Sequence, residues 1–403
     1  MKEFLLILLT IPLITGVIGW VTNWAAVKMI FYPLKYIGIG PIGWQSIVAK
    51  QSTKFAMGVA DVVDQNLLKG NEIAERINPA DLNAVLGPRL DQDIRALAAE
   101  VGEIVAPGAW GKMAAPMQAM VVAQVKQKTQ EITERVFEKA QPLVTRALDL
   151  PKLIFESLSG DNIGRMIRLT KYIGRNEFRF IEIYGGVFGF LIGLAQVGLW
   201  SLMQKWWLMP VVGAIVGLVT NWLAIQMIFR PQEPTKYFGL FTYQGLFPKR
   251  QADIAADYGK IASEEILTAG RLMELVIASP EVKQIAELIE STISETIDGE
   301  WQQAKAMMPV EVSDAQIAQA KAAIAANLIN TFVKVRPELE AFLDQKLDVG
   351  ETIKERMAAM PKDKFEQVLR GVFEEDEITL IVVGGVLGLA VGCLQAFLVL
   401  AIS

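Results

Sequence analysis

The chain has 403 residues, of which 52% are hydrophobic and 21% are charged, and its formal net charge at pH 7 is −5. It is too apolar for an ordinary soluble protein and too charged for one embedded wholly in lipid, so we expect it to divide between bilayer and water. The negative charge argues against a nucleic-acid partner, and the absence of histidine removes the commonest metal ligand and the commonest general acid or base near neutral pH.

Four stretches are long and apolar enough to cross a bilayer, which takes about 20 residues. Lys2 precedes the first stretch, but its apolar run exceeds that of a typical signal peptide, so we predict a retained span. The short turn at Gln204 and Lys205 predicts a hairpin between the second and third spans. The predicted transmembrane helices are 4–31, 180–203, 206–229 and 378–402.

The two polar segments between the spans, 34–179 and 232–377, are predicted to be helical. Their apolar residues recur at helical spacing, and strand-like alternation is scarce. Long amphipathic helices are predicted at 117–147 and 313–335, and prolines such as Pro88 and Pro142 are interpreted as helix boundaries. The predicted fold class is therefore all-α, an integral membrane protein with an extra-membrane helical body.

Two blocks of sequence occur twice. GWVTNWAAVKMIFYP at 19–33 returns as GLVTNWLAIQMIFRP at 217–231, with ten of fifteen positions identical. GGVFGFLIGLAQ at 185–196 returns as GGVLGLAVGCLQ at 384–395. We interpret the chain as two tandem repeats, 1–199 and 200–403, inserted with the same orientation because each contributes an even number of spans.

Basic residues near the span ends are concentrated on the side of the two polar segments. The other side has only Lys2 and Lys205. The positive-inside rule therefore predicts cytoplasmic polar segments.

Several polar side chains lie inside the predicted spans. Two interpretations stay open: they fix helix packing through hydrogen bonds between helices, or they line a path for a solute or ion. We expect the asparagines and glutamines to meet near one seam between the helices. These candidates are Thr22, Asn23, Thr220, Asn221, Gln196 and Gln395.

Glycines recur every fourth residue in the second and fourth spans and form a flat face on which another helix can pack closely. We expect these faces to contact the first and third spans. The packing glycines are Gly185, Gly189, Gly193, Gly384, Gly388 and Gly392.

Prolines and basic residues follow the first and third spans. Proline ends a helix where it leaves the bilayer, and basic side chains suit anionic headgroups, so we interpret these residues as membrane-boundary anchors. They are Pro33, Pro231, Lys249 and Arg250.

The sequence shows no convincing cofactor or metal motif. The acidic run 374–377 lacks the alternating ligand spacing of a calcium loop. The stretch 108–112 resembles a phosphate loop only superficially, because the spacing is short and Met113 occupies the place of the magnesium-binding hydroxyl. We therefore expect no catalytic residues, no metal and no cofactor.

The Thr-Asn-Trp blocks, together with GLFPKR at 245–250, resemble the YheB-like family of uncharacterised bacterial membrane proteins, also called domain of unknown function 445. The first half departs from this pattern, with SIVAKQ at 46–51 in place of GLFPKR. The resemblance implies a multi-pass protein of the bacterial inner membrane and supplies no catalytic residues.

The leading functional hypothesis is a non-enzymatic, membrane-anchored scaffold or assembly factor that forms a homo-oligomer and offers its helical body to a protein partner. The alternative is an oligomeric transporter or channel for a small solute, ion or lipid, since four spans alone do not enclose a pore.

Overall fold

The computed structural model describes residues 2–40, 42–203, 205–305, 312–370 and 377–402. Residues 374–376 of the acidic run and Gln204 of the predicted turn lie outside these ranges. Helices α1 to α19 are, in chain order, Lys2–Phe31, Ile47–Lys50, Ser52–Val62, Gly70–Glu75, Pro79–Val105, Ala115–Ala147, Leu150–Leu158, Ile163–Ile173, Arg175–Met203, Leu208–Phe229, Leu246–Lys249, Gln251–Ile261, Ala269–Ile277, Glu281–Lys305, Asp314–Lys334, Arg336–Leu347, Val349–Ala358, Lys362–Arg370 and Glu377–Ile402.

The prediction of four spans is confirmed, because four described helices, α1, α9, α10 and α19, are long and apolar enough to cross a membrane. Helix α9 begins at Arg175, five residues before the predicted start. Its first turn carries polar residues, among them Glu177, which is buried against another part of the fold rather than left in a loop. Helix α10 begins at Leu208 and has Pro210 in its first turn, where a missing N–H removes no helical hydrogen bond.

Two short β-hairpins depart from the predicted all-α fold. Strands β1, Ile37–Ile39, and β2, Ile42–Trp44, pair antiparallel, as do β3, Thr235–Tyr237, and β4, Phe241–Tyr243. Each hairpin follows an apolar helix, α1 or α10. Strands of three residues are too short to give an alternating pattern in sequence, which is why the hairpins were not predicted.

Two prolines interpreted as helix boundaries lie inside helices. Pro88 is within α5 and Pro142 within α6. A proline inside a helix removes one backbone hydrogen bond. The packing of a long helix along its length can offset that loss, so the helix continues through the proline. Pro79, in contrast, is the first residue of α5, behind an Asn78 capping box.

The chain forms two compact units, and each takes segments from both halves of the sequence. The first comprises Met1–Leu67, Ile154–Ile261 and Gly350–Ser403, and the second comprises Leu68–Leu153 and Ala262–Val349. The division into sequence repeats at 199/200 remains a prediction.

In the first unit, the apolar helices associate as two close pairs, α1 with α9 and α10 with α19, and α9 and α10 also pack on each other. Where the two pairs meet, Ile11, Val197, Met209 and Ala396 form a buried cluster that Trp200 covers.

The second unit is built around four long helices, α5, α6, α14 and α15. Helix α6 packs antiparallel to α14, as shown by Lys128 bonded to Glu300 at 2.7 Å and Arg135 bonded to Glu295 at 3.2 Å. Helices α5 and α15 also pack on each other. Both of these pairs join the first half of the chain to the second. The long amphipathic helices predicted at 117–147 and 313–335 are confirmed as α6 and α15.

Candidate functional site

The packing glycines of α9 lie directly against the backbone of α1. A Cβ atom added to Gly193 would lie 2.6 Å from the Cα of Pro12, and one on Gly19 would overlap the carbonyl oxygen of Gly185. A Cβ atom on Gly189 would lie 2.5 Å from the carbonyl oxygen of Thr15. Only glycine permits helix backbones to approach this closely.

The same contact is present between α10 and α19. A Cβ on Gly392 would lie 2.7 Å from the Cα of Pro210, and Gly217 and Gly384 are in backbone contact. Gly388 packs on Gly213. All six glycines singled out in the sequence therefore lie at helix contacts, and the partner helices are those expected.

The asparagines are placed at these contacts and are fully or almost fully buried. Asn23 Nδ2 donates to the carbonyl oxygen of Ile181 on α9 at 2.8 Å, and Asn221 Nδ2 donates to that of Leu380 on α19, also at 2.8 Å. The Oδ1 atom of each side chain is buried without a hydrogen-bond partner. Each asparagine thus joins two helices at one point.

The threonines beside them bond to their own helices. Thr22 Oγ1 donates to the carbonyl oxygen of Gly19 at 3.1 Å, and Thr220 Oγ1 to that of Gly217 at 3.5 Å. Both threonine side chains are buried. Their hydroxyls are therefore used within the helix backbone.

The glutamines lie farther along the same helices, which corrects the expectation that they meet the asparagines. Asn23 contacts α9 at Ile181, and Gln196 is 15 residues further, about 22 Å along a helix that rises about 1.5 Å per residue. Gln196 Oε1 accepts from Thr15 at 3.1 Å, and its Nε2 lies 2.9 Å from the sulfur of Met209.

The second glutamine has a less polar environment. Gly213 occupies the position in α10 that Thr15 has in α1, so no hydroxyl is available there. The Nε2 atom of Gln395 is buried without a partner. The two halves therefore share the backbone contacts and differ in the side-chain hydrogen bonds.

The residues interpreted as membrane anchors divide into two groups. Pro33 and Pro231 lie two residues beyond the ends of α1 and α10, and Lys249 is exposed. Arg250, in contrast, is largely buried, and its Nη1 lies 2.5 Å from Oε1 of Glu177. A guanidinium bonded to a buried carboxylate serves the fold directly, so headgroup binding is not needed to account for Arg250.

A small cavity of about 40 Å³ lies between the ends of the four apolar helices. Its surface is apolar, with Ile181, Phe229 and Leu380 among the lining residues, and Glu177 and Glu377 lie beside it. Glu377 Oε1 accepts from Gln226 at 3.2 Å. Glu177 Oε2 is buried without a hydrogen-bond partner.

The volume alone would admit a water molecule, which needs about 10–15 Å³, but the apolar surface offers it no hydrogen-bond partners. Among the described residues, no group of three or more histidine, cysteine, aspartate or glutamate side chains could hold a metal ion.

Comparison with known proteins shows a similarity over part of the chain. Residues 211–338 match the sequence profile of DUF445, a protein family of unknown function. The match covers about a third of the chain, so the chain is similar to this family over that part. The matched residues include Asn221, the hairpin β3–β4 and Arg250.

Curated relatives of this chain are named as membrane proteins. A UPF0754 membrane protein of Staphylococcus aureus strain MRSA252 is 30% identical over 154 residues, which are 35% of this chain and 41% of the relative. One of Bacillus pumilus strain SAFR-032 is 36% identical over 95 residues, 23% of this chain and 25% of the relative. The alignments thus span less than half of these relatives, and no solved structure matches the chain. The names of these relatives and the four apolar helices support a location in a membrane.

Sequence reasoning missed Glu177 and the cavity. A signal was present, because Glu177 is an acidic residue just before an apolar stretch and has no basic residue at the neighbouring helical positions 173, 174, 180 and 181. Its partner, Arg250, is 73 residues away in sequence, and only the tertiary structure joins them.

The glycine contacts give a first prediction. Replacing Gly217 with valine should separate α10 from α19, because the new Cβ would overlap the carbonyl oxygen of Gly384. Overpacking of this kind costs about 1–3 kcal/mol. Thermal unfolding followed by helical circular dichroism in detergent should show a lower midpoint for Gly217→Val. Gly198→Val is the control, since a Cβ on Gly198 meets no atom within 4 Å. Equal midpoints for both variants would contradict the close contact.

The buried ion pair gives a second prediction. Arg250→Gln leaves the Glu177 carboxylate buried without its charged partner, which typically costs about 3–5 kcal/mol. The double variant Arg250→Gln with Glu177→Gln should recover most of this loss, because no buried charge remains. The matched control is Glu274→Gln, which removes an exposed pair with Arg336 and should cost less than about 1 kcal/mol. Additive losses in the double variant would show that the pair is not coupled.

Proposed function

We propose that this protein is a non-enzymatic scaffold or assembly factor anchored in the membrane by four helices. The observation that carries the proposal is the use of the intramembrane polar residues. Asn23, Asn221 and Gln196 are buried in contacts between helices, and their bonds go to backbone or to neighbouring side chains. Polar groups buried between helices in this way favour a packing role over a solute path along the glycine contacts.

The proposal includes a tandem duplication with both polar segments on the cytoplasmic side of a bacterial inner membrane. Support comes from the matched contacts of Asn23 and Asn221 and from the hairpin that follows each of α1 and α10. The excess of basic residues near one side of the spans supports the orientation.

We place the partner-binding role on the four long helices of the second unit. Met117 and Met120 of helix α6 are 57% and 72% exposed to solvent. Flexible methionine side chains adapt to varied apolar partners. The partner is another protein or a second copy of this chain, which would make the assembly a homo-oligomer.

Crosslinking in cells tests the scaffold role. A photoreactive residue in place of Met120 is expected to give a reproducible protein adduct, with a partner or with a second copy, because this side chain is exposed on α6. The same residue in place of Leu194, exposed on the apolar helix α9, is the control and is expected to give no such adduct. Absence of a protein adduct at position 120, in cells in which the chain is inserted and intact, would contradict the proposal.

A second candidate function, an oligomeric transporter or channel for a small solute, ion or lipid, is favoured by one observation. At the helix ends, Oε2 of Glu177 is buried and has no hydrogen-bond partner. Ionisable groups inside membrane helices often mark ion or proton paths, although Glu177 also forms an ion pair with Arg250 through its other oxygen.

Flux measurements separate the two candidates. The scaffold proposal predicts that liposomes containing the purified chain leak small ions no faster than protein-free liposomes. The transporter alternative predicts flux that is lost in Glu177→Gln, which keeps the side-chain shape and removes the charge. The double variant Asn23→Leu with Asn221→Leu tests whether solute passes along the glycine contacts. If this variant stays folded and loses the flux, the packing role of the asparagines is contradicted.

A further inference from the structure

Each of the two β-hairpins is fastened to the end of an apolar helix. In the first, Trp44 Nε1 donates to the carbonyl oxygen of Met29, in the last turn of α1, at 3.3 Å. In the second, Tyr243 Oη donates to the carbonyl oxygen of Met227, in the last turn of α10, at 2.6 Å. These bonds hold the returning strand of each hairpin at the level where the helix ends.

Backbone and side-chain bonds close the base of each hairpin in the same way. Ser46 N donates to the carbonyl oxygen of Pro33, and Gly245 N to that of Pro231, both at 2.9 Å. Burial raises the pKa of Tyr243 to about 12, so its hydroxyl remains a donor at any physiological pH. The hairpins are therefore fixed in position relative to the helices they follow.

The far ends of both hairpins carry large apolar side chains that contact almost nothing. Ile39 is 89% exposed, Phe238 is 89% exposed and Leu240 is 86% exposed. Lys35 and Lys236 lie close to them in sequence and are exposed. An isolated two-stranded hairpin is marginally stable in water, and here the apolar residues at the far ends are left without a core.

The turn of the second hairpin adds a conformational argument. Phe238 has φ of 53° and Gly239 has φ of 70°. Glycine adopts this left-handed region freely, whereas a bulky residue such as phenylalanine does so at a steric cost. Asparagine or aspartate would suit the turn better. Phe238 thus lies at a highly exposed point of the hairpin, in a backbone conformation that is unfavourable for phenylalanine.

We propose that both hairpin tips insert into the headgroup layer of the bilayer that α1 and α10 enter, and act as interfacial anchors in addition to the spans. The hairpins are continuous with helices that span the membrane, and their bases are bonded to the last helical turn. Their composition of isoleucine, leucine, phenylalanine, tyrosine and lysine is that of segments lying in the membrane interface. The proposal is independent of whether the protein is a scaffold or a transporter.

Lipid explains the tips better than a protein partner does. A protein partner would need to recognise two hairpins of different sequence, Ile-Gly-Ile in β1 and Thr-Lys-Tyr in β3, at the ends of two different helices. Lipid requires only apolar tips at the correct depth with basic residues near the headgroups. Both hairpins meet that requirement.

Site-specific fluorescence tests the proposal. The only cysteine, Cys393, is replaced by serine in the full-length chain, and single cysteines are introduced by Phe238→Cys, Leu240→Cys or Ile39→Cys. Each is labelled with an environment-sensitive dye, and the protein is reconstituted in nanodiscs of phosphatidylcholine and phosphatidylglycerol that hold one copy. Gln302→Cys, at an exposed polar position of α14, is the matched control.

We expect the tip labels to show blue-shifted emission and to be quenched by lipids carrying a nitroxide near the headgroup more than by lipids carrying one deep in the acyl chain. Interfacial segments lie about 5–10 Å into this boundary. The control label should be quenched by aqueous iodide and not by either lipid. Tip labels quenched only by iodide would overturn the proposal. A blue shift seen only when nanodiscs hold two copies would assign the tips to contact between copies and overturn it equally.

Discussion

The close approach of helix backbones at glycine is the constraint on which the membrane part of this protein depends. The contact of Gly185 with Gly19 joins α9 to α1, and the contact of Gly384 with Gly217 joins α19 to α10. Without a hydrophobic driving force between helices in lipid, such contacts and a few interhelical hydrogen bonds hold the spans together. The distance also allows the short side chains of Asn23 and Asn221 to reach a backbone carbonyl on the opposite helix. The glycines therefore fix both the pairing and the hydrogen bonds.

At the ends of the same helices the two halves of the chain cease to be equivalent. Arg250 bonds to the buried Glu177, whereas the first half has Gln51 at the position that corresponds to Arg250. The resulting ion pair joins residues of the two halves and lies beside the cavity. At the other end, Thr15 bonds to Gln196, while Nε2 of Gln395 is buried without a partner. Similar glycine contacts thus carry different side-chain chemistry in the two helix pairs.

The second unit also combines segments from both halves of the sequence. Its long helices pair across the halves, α6 with α14 and α5 with α15, through buried apolar residues such as Ile132 and Ile293 and through surface ion pairs. Exposed ion pairs contribute little, so the apolar contacts carry most of the stability. The second unit is thus formed by segments from both halves of the sequence.

The sequence by itself determined the four apolar helices, the two long amphipathic helices and the glycine faces, because each of these is encoded by local periodicity and composition. It also identified Asn23 and Asn221, since polar residues in an apolar run are conspicuous. Only the tertiary structure decided that Gln196 lies far from Asn23, that Arg250 is bonded to Glu177, and that the tips of the hairpins are left exposed. These features depend on residues distant in sequence or on strands of three residues, and neither leaves a periodic pattern that local physical chemistry can detect.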